Sequence, residues 1–159
     1  MSYLFSRGSA GYGLGDLPGC NLEKFNGDIS RWDVSNVKNM SHMFYGAESF
    51  NQPIGVWDVS SVENMEYMFY LAESFNQPIG DWDVSNVTDM QNMFHWAEKF
   101  NQPIGDWDIS NVTSMRWMFS HASSFNQDLS KWKLKRGCDI DYIFVECRLK
   151  REFKPKGIY

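Results

Sequence analysis

The feature that most constrains this chain is a repeat of 25 residues, kept without a slip. Trp32, Trp57, Trp82, Trp107 and Trp132 mark it, and Phe25, Phe50, Phe75, Phe100 and Phe125 hold the same interval. One aliphatic column runs Ile29, Ile54, Ile79, Ile104 and Leu129, and another runs Val34, Val59, Val84, Ile109 and Leu134. Met40, Met65, Met90 and Met115 give way to Ile140, while Met43, Met68, Met93 and Met118 give way to Ile143. Phe44, Phe69, Phe94, Phe119 and Phe144 complete the set. A fixed period of this length defines units that bury their apolar side chains only against their neighbours. The whole chain, 1–159, therefore reads as one domain. It has an amino-terminal cap with a half-coil (1–24), five 25-residue repeats (25–149, the fifth degenerate) and a basic carboxy-terminal cap (150–159).

Each unit reads as two halves. In "IGDWDVSNV", Trp82 and Val84 alternate with Asp81 and Asp83, which predicts a short strand. In "VTDMQNMFHWA", Val87, Met90, Met93, Phe94 and Ala97 fall at three- and four-residue steps, which predicts a short helix. Thr88 and Gln91 have capping-box spacing, and "NQPIG" supplies the turn to the next unit. The expected fold class is an α/β repeat, a right-handed solenoid of the leucine-rich-repeat type with one short strand and one short helix per coil. Five coils at strand spacing would stack to roughly 24 Å.

The string W-D-V/I-S-N-V-x-x-M-x-x-M-F-x-x-A-x-x-F-N, as in "FNQPIGDWDVSNVTDMQNMFHWAEKF", resembles the repeat of the BspA-like leucine-rich repeat surface proteins, which is also seen in mycoplasmal lipoproteins. The resemblance covers about residues 25–149. It implies a leucine-rich-repeat-type solenoid used for adhesion or partner binding, without enzymatic activity. Two departures stand out. The start carries no signal peptide or lipoprotein cysteine, and the fifth copy, "SKWKLKRGCDIDYIF", has lost D-V-S-N.

Composition narrows the function classes. Hydrophobic residues make up 43% of the 159, and the net charge of −5 argues against nucleic acid as partner. Residues 131–159 nevertheless hold 9 Lys/Arg against 4 Asp/Glu, so the tail is basic and the body acidic. No segment is apolar enough to span a membrane, so the chain as written is expected to be soluble and cytoplasmic, although the resembled family is mostly at the cell surface. Cys20, Cys138 and Cys147 have neither disulfide-framework nor zinc spacing, and the three histidines fall in different columns. No metal, cofactor or catalytic residue is expected.

Three sets of residues are candidates for more than packing. Asn26, Asn51, Asn76, Asn101 and Asn126 each follow an inward Phe, and are expected to form a ladder whose amides satisfy backbone groups at every turn. Asp33, Asp58, Asp83 and Asp108 form an acidic column, joined by Asp81 and Asp106. They are expected to accept Ser/Asn hydrogen bonds within the D-V/I-S-N turn, with binding of Ca²⁺ or a basic partner as the alternative; Lys133 closes the column and could pair with Asp108. The variable columns carry Tyr67, Tyr70, His95, Trp96, Trp117 and His121, aromatics where water is expected; they are expected either to pack over the helix of the next coil or to form a binding stripe of the kind typical of interface hot spots. The expected function is a non-enzymatic protein-interaction or adhesion module binding a protein or surface ligand through that stripe. The alternatives are a structural component that self-associates through its ends, and a carbohydrate-binding surface.

Overall fold

The computed structural model describes residues 22–157. The 25-residue units stack as coils, because their hydrogen bonds join residues 24–28 apart in sequence along the whole described chain. The coils are not built from a strand and a helix, however, and the expected α/β solenoid of the leucine-rich-repeat type is not what forms. Among the described residues the only helical segments are two single-turn 3₁₀ pieces, Leu22–Lys24 and Arg151–Phe153. Sheet structure is limited to one isolated parallel bridge per step, Asn39 to Asn64 to Asp89 to Ser114 to Asp139.

The expected helix fails for a reason visible in its hydrogen bonds. Met43 N–H donates to Met40 O, Tyr45 to His42 O and Ala47 to Phe44 O, all three residues back. The intervening amides leave the coil: Met40, His42, Phe44 and Gly46 donate to Asn64, Glu66, Met68 and Tyr70 of the next. A helix would send each of these four residues back along its own chain. Instead, two tight turns follow one another, 40–43 and 44–47, each with its third residue at positive φ (His42 59°, Gly46 69°). That is the signature of a type II turn. Buried residues at 40, 43, 44 and 47 are the ends of these turns, and two adjacent four-residue turns give the same apolar spacing as one face of a helix. With no helix present, Thr88 caps nothing; its hydroxyl and amide both reach Glu63 O in the preceding coil.

The strand fails differently. Trp82 and Val84 are buried while Asp81 and Asp83 are exposed, so the alternation correctly sorts inside from outside. The backbone there makes turns, Trp82 N–H to Ile79 O and Val87 N–H to Val84 O, and no ladder. Indoles take over the bridging between coils. Nε1 of Trp57, Trp82, Trp107 and Trp132 donates to the carbonyl of Ile29, Ile54, Ile79 and Ile104, at 3.1–3.3 Å.

The core runs through the middle of the stack. Phe44, Phe69, Phe94, Phe119 and Phe144 form a column with ring centroids 5.4, 5.6, 5.7 and 5.8 Å apart. A second Phe column, from Phe25 to Phe125, lies against the first, with Phe94 and Phe100 only 3.9 Å apart. Close backbone approach sets the pitch at the turn before Trp57, Trp82 and Trp107. A Cβ on Gly55, Gly80 or Gly105 would lie 2.1–2.4 Å from a carbonyl oxygen of the next coil, so only glycine fits.

Residues 150–157 close one end. Leu129 N–H donates to Phe153 O, Lys150 N–H to Asn126 Oδ1, and the Lys154 ammonium lies 5.7 Å from the centre of the Phe144 ring. Of the amino-terminal cap (1–24), only Leu22–Lys24 lies within the described residues, where Glu23 O accepts from Ser49 N–H.

Candidate functional site

Each pair of turns has corners, and these carry the residues that differ between coils. Three columns result. The first is His42, Tyr67, Asn92, Trp117 and Tyr142, all at φ between 54° and 60°. A second runs Tyr45, Tyr70, His95, Ser120 and Val145, and a third, again at positive φ, runs Gly46, Leu71, Trp96, His121 and Glu146. The variable residues expected on a helix face therefore stand at turn corners. Their own backbone fixes them: Tyr67, Asn92 and Trp117 donate N–H to Gln91, Arg116 and Asp141 of the following coil, at 2.9–3.0 Å.

Four of the expected residues converge. Tyr67, Tyr70, His95 and Trp117 line an open groove of about 520 Å³ together with Gln91, Asn92, Arg116 and Asp139. Tyr67 rests on His42 (4.8 Å), Tyr70 on Tyr45 (4.6 Å) and Trp117 on Tyr142 (4.4 Å). His95 stands between them, edge-on to Tyr70 at 5.1 Å and parallel to Trp117 at 5.7 Å. Trp96 and His121 are not in this groove. They stack on each other at 4.0 Å and 2°, Trp96 is 37% exposed, and the pair lines a neighbouring depression with Glu146 and Arg148. His95 links the two clusters at 5.8 Å from His121.

His95 Nδ1 lies 2.8 Å from Asn92 Oδ1, so the ring donates through Nδ1 and leaves Nε2 as an acceptor. Burial, with His121 as a lesser cause, holds the His95 pKa down to about 4, so the ring is neutral at physiological pH. Gln91 Nε2 donates to Glu66 Oε1, whose carboxyl is pushed up by burial and by Asp89. The Tyr67 phenol is also pushed up, mainly by burial. Arg116 reaches Asp139 and Asp141 only at 3.7 and 3.6 Å, and its guanidinium lies 5.4 Å from the Tyr142 ring centre.

Gln91, Arg116, Asp139 and Tyr142 belong to this site and were not among the residues singled out by sequence. Arg116 and Asp141 stand one repeat apart in the same column, which is the signal that could have paired them.

Elsewhere the asparagines form a continuous ladder. Oδ1 of Asn26, Asn51, Asn76 and Asn101 accepts the N–H of the Asn one coil on, at 2.9 Å, and also the side-chain amide of the following Gln. Asn126 Oδ1 accepts from Lys150. In the acidic column, Asp33, Asp58, Asp83 and Asp108 each accept the N–H of the serine two residues on. Hydrogen bonds from that serine hold all four carboxyls below the usual range. Lys131 pairs with Asp106 at 2.7 Å, whereas Lys133 acts on Asp108 only at longer range. Among the described residues, no group of three or more His, Cys, Asp or Glu is placed to hold a metal, and no helix is long and apolar enough to cross a membrane. Cys138 and Cys147 are free thiols whose pKa values burial raises; Cys20 lies outside the described residues.

A family model described as "Mycoplasma protein of unknown function, DUF285" matches residues 20–95 and again 53–154. No curated protein and no solved structure matches the chain. The two family matches overlap and together span most of the sequence, and the chain belongs to the DUF285 family.

Proposed function

We propose that this member of the DUF285 family is a non-enzymatic interaction or adhesion module that binds its ligand along the aromatic turn corners. One observation carries the reading. Nine non-glycine residues among those described hold a left-handed φ, and they include Tyr67, Trp96, Trp117 and His121. Each such residue costs about 1–2 kcal/mol relative to an unstrained backbone. Gly46 occupies one of these corners, so the turn itself does not require a side chain there. Large aromatics held at variable corner positions, four of them around one groove and two of those four, Tyr67 and Trp117, at a strained φ, fit a surface kept for recognition. The likeness of the repeat string to BspA-like surface proteins adds support for an adhesive role. Self-association through open ends is less favoured, because residues 150–157 cover the last coil.

The test is capture of ligand from a cell-surface extract by the immobilised protein, compared with a variant carrying Tyr70→Ala, Trp96→Ala and Trp117→Ala. Capture should be lost while the cooperative unfolding transition persists. Undiminished capture by the folded triple variant would sink the reading.

A further inference from the structure

The first corner column is a ring ladder with a rung missing. His42 and Tyr67 stack at 4.8 Å and Trp117 and Tyr142 at 4.4 Å, but between them stands Asn92. The groove of about 520 Å³ lies at this break. The column's own ring-to-ring steps are 4.8 Å and 4.4 Å, and the break between Tyr67 and Trp117 is two coils wide, which leaves the place of one ring open. A ring seated there at the same step would fall at the near end of the roughly 4.5–7 Å range of stacked rings.

Asn92 itself gives the second, independent sign. It is only 5% exposed, its Oδ1 is taken by His95, and its Nδ2 meets no acceptor among the described residues although it lines the groove. The amide nitrogen is not sealed from solvent, so it stands open to the groove as a donor that an acceptor from outside can meet. Beside it stand the His95 Nε2 acceptor, the Gln91 amide, the Arg116 guanidinium and the Asp139 carboxylate.

We propose that this slot binds the pyranose ring of a neutral glycan, inserted between Tyr67 and Trp117 with its hydroxyls on Asn92, His95, Gln91 and Arg116. This deepens the interaction reading above and rests on it. The chemistry favours a sugar over an aromatic side chain of a protein partner. A hydrocarbon ring edge would leave the Asn92 donor unmatched, and a Tyr could supply one hydroxyl, whereas a pyranose carries hydroxyls around its rim that meet several groups at once. The C–H faces of the sugar suit the two aromatic walls. Arg116 faces Asp139 and Asp141, so no uncompensated positive charge calls for an acidic sugar.

The test is an array of neutral oligosaccharides built from glucose, galactose, mannose and N-acetylhexosamines, followed by titration of the best binder with tryptophan fluorescence as readout. Asn92→Tyr supplies the missing rung at a corner where Tyr67 and Tyr142 already hold the same φ, so the fold should survive and glycan binding should disappear. Asn92→Ala keeps the slot but removes its donor, and binding should weaken roughly tenfold, the cost of one lost hydrogen bond. No glycan bound by the wild-type protein, or binding untouched by both substitutions, would overturn the proposal. If the wild type captures a protein through the aromatic corners while the array stays blank, the sugar assignment falls and the interaction reading stands. If the triple variant also captures undiminished, both fall.

Discussion

His95 and Ser120 occupy the same turn corner one coil apart, and each sets up a measurable effect. Burial holds the folded His95 pKa at about 4, against 6.5 in the unfolded chain, so below pH 6.5 the unfolded chain takes up a proton that the folded one refuses. Stability should therefore fall as pH drops from 6.5 towards 4. His42, lowered by burial, adds to the fall with the same sign. The serine-bonded carboxylates of Asp33, Asp58, Asp83 and Asp108 contribute only lower, as pH falls below 3.8. Urea midpoints at pH 7.5 and pH 5 should show the loss, and His95→Gln should reduce it; an equal loss in the variant would assign it elsewhere. Ser120 is fully buried and its hydroxyl has no hydrogen-bond partner among the described residues. Ser120→Ala removes that unmet group and should raise stability by about 1 kcal/mol in denaturant unfolding.

The element of this protein is the tight turn, and two unusual requirements, one in the turn before each of Trp57, Trp82 and Trp107 and one in the double turn, predict opposite responses to small substitutions. At Gly80 a Cβ would come within 2.4 Å of the Pro103 carbonyl oxygen, a backbone atom that cannot swing aside. Gly80→Ala should lower stability by about 1–3 kcal/mol, the usual cost of overpacking a close contact. Glu146, exposed and at φ 52°, has no such neighbour to satisfy and keeps a strained backbone. Glu146→Gly should raise stability by about 1 kcal/mol, since glycine adopts that φ without strain. Thermal unfolding of both variants checks the pair. This is also the scale at which the sequence misleads. Met90, Met93, Phe94 and Ala97 have helical spacing, but so do the ends of two consecutive four-residue turns, and periodicity alone does not separate them. The distinguishing signal is weak and lies outside the apolar positions. Gly46 and Asn92 are residues that tolerate positive φ, and they stand at the corners where the turn needs it.

For the whole molecule, the period was the most legible feature because every contact that matters repeats at one offset. Inward columns, the Asn ladder and the position of the indoles all follow from it. The groove was legible only in part. Tyr67, Tyr70, His95 and Trp117 differ from copy to copy and attract attention for that reason, whereas Asn92 becomes informative only once its neighbours are known to stack. Identical offsets also make the coils interchangeable. Deleting residues 76–100 joins Phe75 to Asn101 and restores every column, so the shortened chain should still unfold cooperatively, with a lower midpoint and a smaller denaturant slope. Deleting 76–99 shifts all later columns by one residue and should abolish the cooperative transition. A folded product from the second deletion would contradict the stacking described for Phe69, Phe94 and Phe119.

The break in the ring ladder takes on a different meaning beside that interchangeability. A gene that gains or loses one repeat's worth of coding sequence changes how many coils the protein has without disturbing how any two of them fit. A single codon at a left-handed corner does the reverse, opening or closing a slot while leaving the stack alone. Length and groove shape are thus inherited separately: one changes by recombination between copies, the other by point mutation at positions such as Asn92.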